Sequence, residues 1–197
     1  SRYSLRVSDA QQFDGKPEPD DACDNAAEYI ANKFRSYGLE VENDLFEHKI
    51  VSINGKTKGI YKMRNVIATL PGKGNNKEKY FLITAHYDSI ASKTEGWEEN
   101  WRTLPAPGAV DNASGVAGII EAARILSQQD LDFTVKFVAF SGEEIGLFGS
   151  KHFAKLAKEN DYPILGVINF DMIGHDTDGI LDLHVVGNKS SEWLVNA

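Results

Sequence analysis

The sequence has few of the residues on which several common classes of protein depend. It contains one cysteine, Cys23, which excludes an internal disulfide framework and a cysteine-ligated zinc site. No apolar run approaches the roughly 20 residues of a membrane-spanning helix. Lysine and arginine (21) are outnumbered by aspartate and glutamate (29), giving a formal net charge of −8. This charge argues against a nucleic-acid partner, because a phosphate backbone needs clustered cations.

The composition is nevertheless sufficient for one folded domain. Of the 197 residues, 42% are hydrophobic, which is enough for a substantial core. Residues 1–20 are polar, contain glycine and two prolines, and are predicted to form an N-terminal arm ahead of a domain at residues 21–197. The chain starts at Ser1 with neither a signal peptide nor an initiator methionine, so the sequence leaves its compartment open.

Strand-like and helix-like segments alternate along the chain. Predicted strands lie within residues 40–53, 63–70, 80–85, 133–140, 164–170 and 181–186. Predicted helices end near Tyr37 or cover residues 111–128, 147–160 and 190–197. The continuous apolar runs at 80–85, 133–140 and 164–170 are typical of strands buried on both faces. This alternation predicts an α/β fold with a mostly parallel, mixed and twisted sheet that has helices on both faces.

One histidine and several acids follow the apolar runs or open a helix. They are His86 and Asp88, Asp111, Glu143 and Glu144, and Asp171. Because ligands bind at the carboxyl edge of open α/β sheets, these side chains are expected to converge there. A histidine with several carboxylates suits a hard or borderline divalent metal. Asp88 lies two residues from His86 and so points the same way in a strand, where it could orient the histidine or bind metal itself.

Each residue also has an ordinary structural explanation. His86 could be a capped or core histidine, and Asp111 could cap a helix. Glu143 and Glu144 could occupy the first turn of a helix, where the helix dipole favours acids. Asp171 is the hardest to explain in this way, since a carboxylate after a wholly apolar strand needs a partner. One shared site explains the residues more simply than separate local roles do.

The order and residue patterns of these segments resemble those of the zinc-dependent aminopeptidases of metallopeptidase family twenty-eight, of the bacterial leucyl aminopeptidase type. The resemblance extends from about Asp21 to Gly174. It is densest in Ala-His-Tyr-Asp-Ser at 85–89, Pro-Gly-Ala-Val-Asp-Asn-Ala-Ser-Gly at 107–115, Phe-Ser-Gly-Glu-Glu-Ile-Gly-Leu-Phe-Gly-Ser at 140–150 and Asn-Phe-Asp-Met-Ile-Gly at 169–174. Together these motifs are highly specific.

The resemblance implies a metal site and an activity. It assigns two zinc ions to the complete domain, with His86 and Asp171 on one ion, Glu144 on the other, and Asp111 bridging both. The implied enzyme is an exopeptidase that hydrolyses the N-terminal bond of a peptide substrate by means of a metal-activated water. By resemblance alone, the protein is expected to be secreted or periplasmic.

Three further features come from the same resemblance. Glu143 is the implied general base, which takes the water's proton and passes it to the leaving amine. Asp88 is the implied orienting partner of His86. A cis peptide bond is implied between Asp111 and Asn112.

The sequence departs from the family pattern in two places. Val110 stands where the family often has an acid. The family's fifth ligand is a late histidine, and neither His175 nor His184 matches its motif. We therefore expect an incomplete catalytic domain with an apolar surface or open sheet edge near its C-terminus, a surface suited to self-association.

The long segment 89–108 is expected to be functional because loops of this length are uncommon in compact domains. Trp97 and Trp101 within it could line a substrate side-chain pocket or simply anchor the loop. Two alternative functions stay open at this point. A glutaminyl cyclase-like acyltransferase would use one zinc ion without the first histidine, and a peptidase-like binding domain would have lost its metal. Asn112 and the Ala-Ser-Gly that follows favour the peptidase.

Overall fold

The computed structural model describes residues 22–51, 57–91, 94–96, 106–175 and 183–196. Within these ranges the strands are β1 (Glu40–Val51), β2 (Thr57–Leu70), β3 (Asn76–His86), β4 (Phe133–Phe140) and β5 (Ile164–Asn169). The helices are α1 (Ala22–Ser36), α2 (Ala113–Leu126), α3 (Phe148–Glu159) and α4 (Glu192–Val195). The N-terminal arm predicted at residues 1–20 lies outside the described residues.

All five strands of the described residues belong to one sheet in the order β1-β2-β4-β3-β5. β1 pairs with β2, and β2 with β4, in antiparallel orientation, whereas β3 runs parallel to both β4 and β5. The predicted mixed α/β sheet is therefore confirmed. Because β3, β4 and β5 run parallel and adjacent, their carboxyl ends meet at one edge, which is where the candidate site residues follow.

Helices cover both faces of the central strands. α1 and α2 pack on one face, where Phe34, Ile119 and Phe137 are fully buried and the rings of Phe34 and Phe137 are 5.9 Å apart. α3 packs on the other face through Phe153, which joins a smaller buried cluster with Leu82 and Val138. The alternation of side chains along β3 and β4 supplies both clusters, which explains why these strands are apolar on both faces.

The prediction that residues 164–170 are buried on both faces is wrong. β5 lies at the end of the sheet and has β3 as its neighbour, and Leu165, Val167 and Ile168 are 40%, 50% and 39% exposed. An apolar run predicts a strand but does not show whether other elements cover both of its faces. The expected open sheet edge is therefore present in the described part of the chain, while self-association through it stays a prediction.

Two other segments differ from expectation. Of the strand predicted at 181–186, residues 181–182 lie outside the described residues and residues 183–186 form no strand. Val185 and Val186 are 70% and 91% exposed, and no strand among the described residues pairs with them. The helix predicted at 190–197 is reduced to the four residues of α4. In the described ranges, no helix combines the length and apolarity needed to cross a membrane.

The larger core cluster should dominate the stability of the fold. Phe137→Ala is expected to lower the free energy of unfolding by about 3–5 kcal/mol, because it removes a fully buried ring between α1 and the sheet. Urea denaturation would measure the change. Leu45→Ala is the control: it truncates a side chain that is 73% exposed and should change stability by about 0.5 kcal/mol or less. Equal losses in the two variants would contradict this description of the core.

Candidate metal centre

His86 is the last residue of β3 and brings a nearly buried imidazole, 4% exposed, to the carboxyl edge of the sheet. Its Nδ1 lies 3.1 Å from the backbone carbonyl oxygen of Asp88. A carbonyl oxygen can only accept, so Nδ1 carries the hydrogen and donates it. In the neutral ring, Nε2 is therefore the free acceptor, as a metal-binding histidine requires.

Three carboxylates surround Nε2 of His86. The nearest oxygens are Oδ1 of Asp111 at 3.2 Å, Oδ1 of Asp171 at 3.8 Å and Oε2 of Glu143 at 3.9 Å. One ligand atom from each of His86, Asp111 and Asp171 lies within 4.8 Å of the others. An imidazole nitrogen with two carboxylate oxygens is a donor set that zinc accepts. The structure thus brings three of the predicted ligands together, while Glu144 is outside this compact group.

The electrostatic field of the site favours a cation. Burial opposes protonation of His86, but the carboxylates of Asp88, Glu143 and Asp171 outweigh it and raise the pKa of His86 to about 9. A site that attracts a proton to Nε2 attracts a divalent cation for the same reason. Burial raises the pKa of Glu143 above its usual range, as do the nearby carboxylates, and His86 opposes them. The pKa of Glu144 is raised by burial and then by the charges of Asp111 and Glu143.

Asp88 lies behind His86, as expected, but with different hydrogen bonds. Its carbonyl oxygen, and not its carboxylate, accepts from Nδ1; the closest carboxylate oxygen is 3.7 Å away, too long for a hydrogen bond. The fully buried carboxylate instead accepts from the backbone N–H groups of Glu143 at 2.9 Å and Glu144 at 3.1 Å. Asp88 therefore connects the histidine to the pair of glutamates.

Two of the structural alternatives are wrong. Glu143 and Glu144 lie in the turn between β4 and α3, which begins only at Phe148, so they are not in the first turn of a helix. The N-cap of α2 is Asn112, whose side chain accepts from the backbone of Gly115. The carboxylate of Asp111 is thus not the helix cap and faces His86 instead.

Asn112 has a structural role that was not predicted from the sequence. Its Oδ1 accepts from the N–H groups of Gly115 at 3.0 Å and Met172 at 3.1 Å, and its Nδ2 donates to the carbonyl of Phe170 at 2.9 Å. The side chain therefore links the start of α2, beside Asp111, to the end of β5, beside Asp171. We call these three hydrogen bonds the Asn112 bracket. The preference of asparagine for helix N-caps was the available signal. The implied cis peptide bond between Asp111 and Asn112 is present.

Other predicted site residues are not in the group. Trp97 and Trp101 lie outside the described residues. His175 and His184 are described, and both are exposed. Neither belongs to the cluster of potential ligands found in the described ranges. That the fifth ligand of the family is missing stays a prediction.

The absence of a side chain at Gly115 leaves room for the Asn112 bracket. A Cβ at Gly115 would lie 2.4 Å from Oδ1 of Asn112 and 2.5 Å from the carbonyl oxygen of Phe170. Gly115→Ala should therefore push α2 away from β5 and weaken zinc binding by about tenfold or more. Competition with a chelator would measure the dissociation constant.

Gly118→Ala, on the same helix, is the matched control for this substitution. A Cβ there would meet the side chains of Ile173 and Phe170 at 2.9 Å, and not a backbone carbonyl, so the neighbours can shift. Its zinc affinity should stay within about threefold of the unmodified protein. Similar losses in both variants would show that the bracket does not control the metal site.

The sequence has recognisable relatives. A probable zinc metalloprotease of Pyricularia oryzae is 33% identical over 170 residues, which are 82% of this chain and 32% of that protein. Aminopeptidase YwaD of Bacillus subtilis is 32% identical over 123 residues, 62% of this chain and 24% of that protein. The chain thus spans about a third or less of the length of these relatives.

Solved structures show the same fold. A glutaminyl cyclase of Fimbriiglobus ruber has a TM-score of 0.64 at 24% identity, covering 89% of this chain and 64% of that one. An aminopeptidase from Aneurinibacillus sp. strain AM-1 has a TM-score of 0.60 at 19% identity, covering 88% and 71%. The sequence pattern of Peptidase family M28 matches residues 65–195, which contain His86, Asp111, Glu143 and Asp171. The chain belongs to peptidase family M28.

Proposed function

We propose that this chain forms the zinc-binding part of an aminopeptidase, which hydrolyses the N-terminal peptide bond of peptides. The observation that carries the proposal is the convergence of Asp111, Asp171 and Glu143 on Nε2 of His86. The relatives named as zinc metalloproteases and as an aminopeptidase support the same class of reaction.

The donor set fits zinc. His86 and Asp171 would hold one ion and Glu144 a second, with Asp111 between them. The compact group of His86, Asp111 and Asp171 supports the first position. The raised pKa of Glu144, caused by burial and by the charge of Asp111, supports its closeness to the bridging carboxylate. When bound, zinc supplies Lewis-acid activation of a water molecule and of the scissile carbonyl.

Glu143 is the proposed general base. Its carboxylate lies 3.9 Å from Nε2 of His86 and is 34% exposed, so it borders the ligand group and remains accessible to substrate. Its raised pKa brings it closer to the pH of catalysis, which favours both taking a proton from water and returning it to the leaving amine. The backbone N–H groups of Glu143 and Glu144 donate to the carboxylate of Asp88, which fixes the backbone from which both side chains extend.

The partly exposed carboxylates also favour a free amino terminus. Asp111 and Asp171 are 41% and 45% exposed at the same edge as Glu143. The negative charge that bound zinc leaves uncompensated at this edge would attract the ammonium group of an unblocked peptide and so place its first peptide bond beside the base. This makes an exopeptidase a better fit than an endopeptidase.

One observation separates this proposal from the cyclase alternative. Cyclases of the related type do not use the first histidine as a ligand, whereas His86 here presents Nε2 to Asp111 at 3.2 Å. The presence of the candidate base Glu143 beside His86 argues against a binding domain that has lost its catalytic group. A substrate pocket formed by Trp97 and Trp101, secretion and self-association stay predictions.

The two neighbouring glutamates can be separated by substitution in the full protein. Glu143→Gln should lower kcat by about 100-fold or more, because it removes a base that acts in the transition state, and should leave zinc content nearly unchanged. Glu144→Gln should instead lower the zinc content, because it removes a proposed zinc ligand. Steady-state kinetics and elemental analysis on the same samples measure both quantities, and equal zinc loss in the two variants would refute the assignment.

Substrate chemistry tests the class of reaction. The protein should hydrolyse leucine p-nitroanilide and should be at least about 100-fold less active on its N-acetylated form, since acetylation removes the ammonium group. A peptide with N-terminal glutamine provides the comparison with cyclases. Release of glutamine supports the proposal, whereas formation of pyroglutamate without hydrolysis would establish the cyclase alternative.

A further inference from the structure

The segment that carries Glu143 and Glu144 contains backbone conformations that are unfavourable without support from other residues. We call residues 141–149, between β4 and the first turn of α3, the glutamate loop. Gly142, Gly146 and Leu147 have φ values of +69°, +133° and +61°. Leu147 is not a glycine, so its left-handed conformation costs free energy that other contacts must offset. The position of Glu143 therefore depends on restraints from outside the loop.

The side chain of Asn65, on β2, links the two ends of the glutamate loop. Oδ1 of Asn65 accepts from the N–H of Ser141 at 3.1 Å, and Nδ2 donates to the carbonyl of Gly149 at 3.1 Å. The N–H of Gly149 also donates to the carbonyl of Ser141 at 2.9 Å, so the ends are paired directly as well. Asn65 is fully buried, and its amide supplies both the acceptor and the donor that these two backbone groups need.

The fit between Asn65 and the loop is close. A Cβ at position 149 would lie 2.3 Å from Oδ1 of Asn65 and 2.4 Å from the carbonyl of Ser141. Only glycine at 149 allows helix α3 to start this near the amide. Gly149 belongs to the motif at 140–150, but its contact with Asn65 on β2 is not visible in the sequence.

The orientation of the Asn65 amide is fixed by Asp44, its partner in the register of β1 and β2. Oδ2 of Asp44 accepts from Nδ2 of Asn65 at 2.9 Å, and Oδ1 of Asp44 is 3.0 Å from Nε2 of His152. A carboxylate accepts hydrogen bonds, so the NH₂ group of Asn65 must face Asp44. That leaves Oδ1 directed at Ser141, which needs an acceptor.

We propose that Asn65 is a positioning residue for Glu143: it clamps the ends of the glutamate loop, while Asp88 holds the N–H groups of Glu143 and Glu144 at its centre. This inference rests on the proposed function, because it assumes that Glu143 is the base. Asn65 acts at a distance from the ligand group, since its partners are Asp44, Ser141 and Gly149. A displacement of about 1 Å in a catalytic group can cost about 100-fold in rate, so a loosened loop should be visible in kcat.

Asn65→Asp is the central test, made in the full protein. It keeps the size of the side chain but replaces the NH₂ donor by an acceptor that faces the carbonyl of Gly149 and the carboxylate of Asp44. We expect kcat to fall by about tenfold or more, with KM within about threefold. The zinc held by His86, Asp111 and Asp171 should be retained, because these ligands lie outside the glutamate loop, whereas the ion at Glu144 is not used as a readout because Glu144 lies within it. Amide hydrogen exchange of Gly149, Glu143 and Glu144 should accelerate in the metal-free variant.

Thr134→Val is the matched control. Thr134 is also buried and also bridges two backbone groups, accepting from the N–H of Gly72 at 3.0 Å and donating to the carbonyl of Lys77 at 2.7 Å. It lies near the start of β4, at the opposite edge from the site. This variant should lose thermal stability but keep kcat within about twofold, which separates positioning from a general loss of stability.

The outcomes distinguish the two proposals. An unchanged kcat in Asn65→Asp, or an unchanged exchange rate in the glutamate loop, would overturn the role of Asn65. If Asn65→Asp does not fold, Asp44→Ala provides the test, because it frees the amide to rotate and should also lower kcat while the zinc on His86, Asp111 and Asp171 is retained. A native protein that hydrolyses no aminoacyl substrate would refute the proposed function, and the exchange measurement would still decide whether Asn65 holds the loop.

Discussion

The structure depends on holding several like charges around one imidazole. Oxygens of Asp111, Asp171 and Glu143 lie 3.2–3.9 Å from Nε2 of His86. Two carboxylates about 4 Å apart repel each other by about 4 kcal/mol at an effective dielectric constant of 20. A hydrogen bond to a charged group contributes about 1.5–3 kcal/mol, so no single bond offsets that repulsion. Positive charge at the centre, which the raised pKa of His86 favours, lowers that repulsion, and several backbone restraints hold the carboxylates together.

The order of the strands supplies the first of these restraints. β3 lies between β4 and β5, and all three are parallel, so His86 at the end of β3 is flanked by the segments that follow β4 and β5. Glu143 comes from one neighbour and Asp171 from the other. Asp111 enters from the start of α2, which Asn112 fastens to the end of β5. The ligand group thus combines residues that are up to 85 positions apart, and only the completed sheet brings them together.

The sequence was a good guide to which side chains meet at the edge of the sheet and a poor guide to what supports them. His86 and Asp171 could be predicted because a polar residue directly after an apolar strand is visible in the local pattern. The supporting role of Asn65 could not be predicted, since a buried amide and an exposed amide look the same in a sequence. The exposure of Val167 was missed for a related reason: burial depends on neighbours that an apolar run does not specify. The helix predicted at 147–160 begins one residue later, at Phe148, because Leu147 adopts a positive φ that its residue type disfavours.

The chemical type of the supports follows from the charge of the site. Asn112 and Asn65 are neutral amides that satisfy both donors and acceptors of the backbone, so they fix the glutamate loop and the start of α2 without adding to the negative charge. Asp88 is the exception among these supports, and it faces two N–H groups and the imidazole of His86. Its charge therefore acts through the histidine and strengthens the attraction of Nε2 for a cation. Because the supports satisfy the backbone, the carboxylates of Asp111, Asp171 and Glu143 are left grouped around Nε2 of His86, where the proposed metal and substrate would bind.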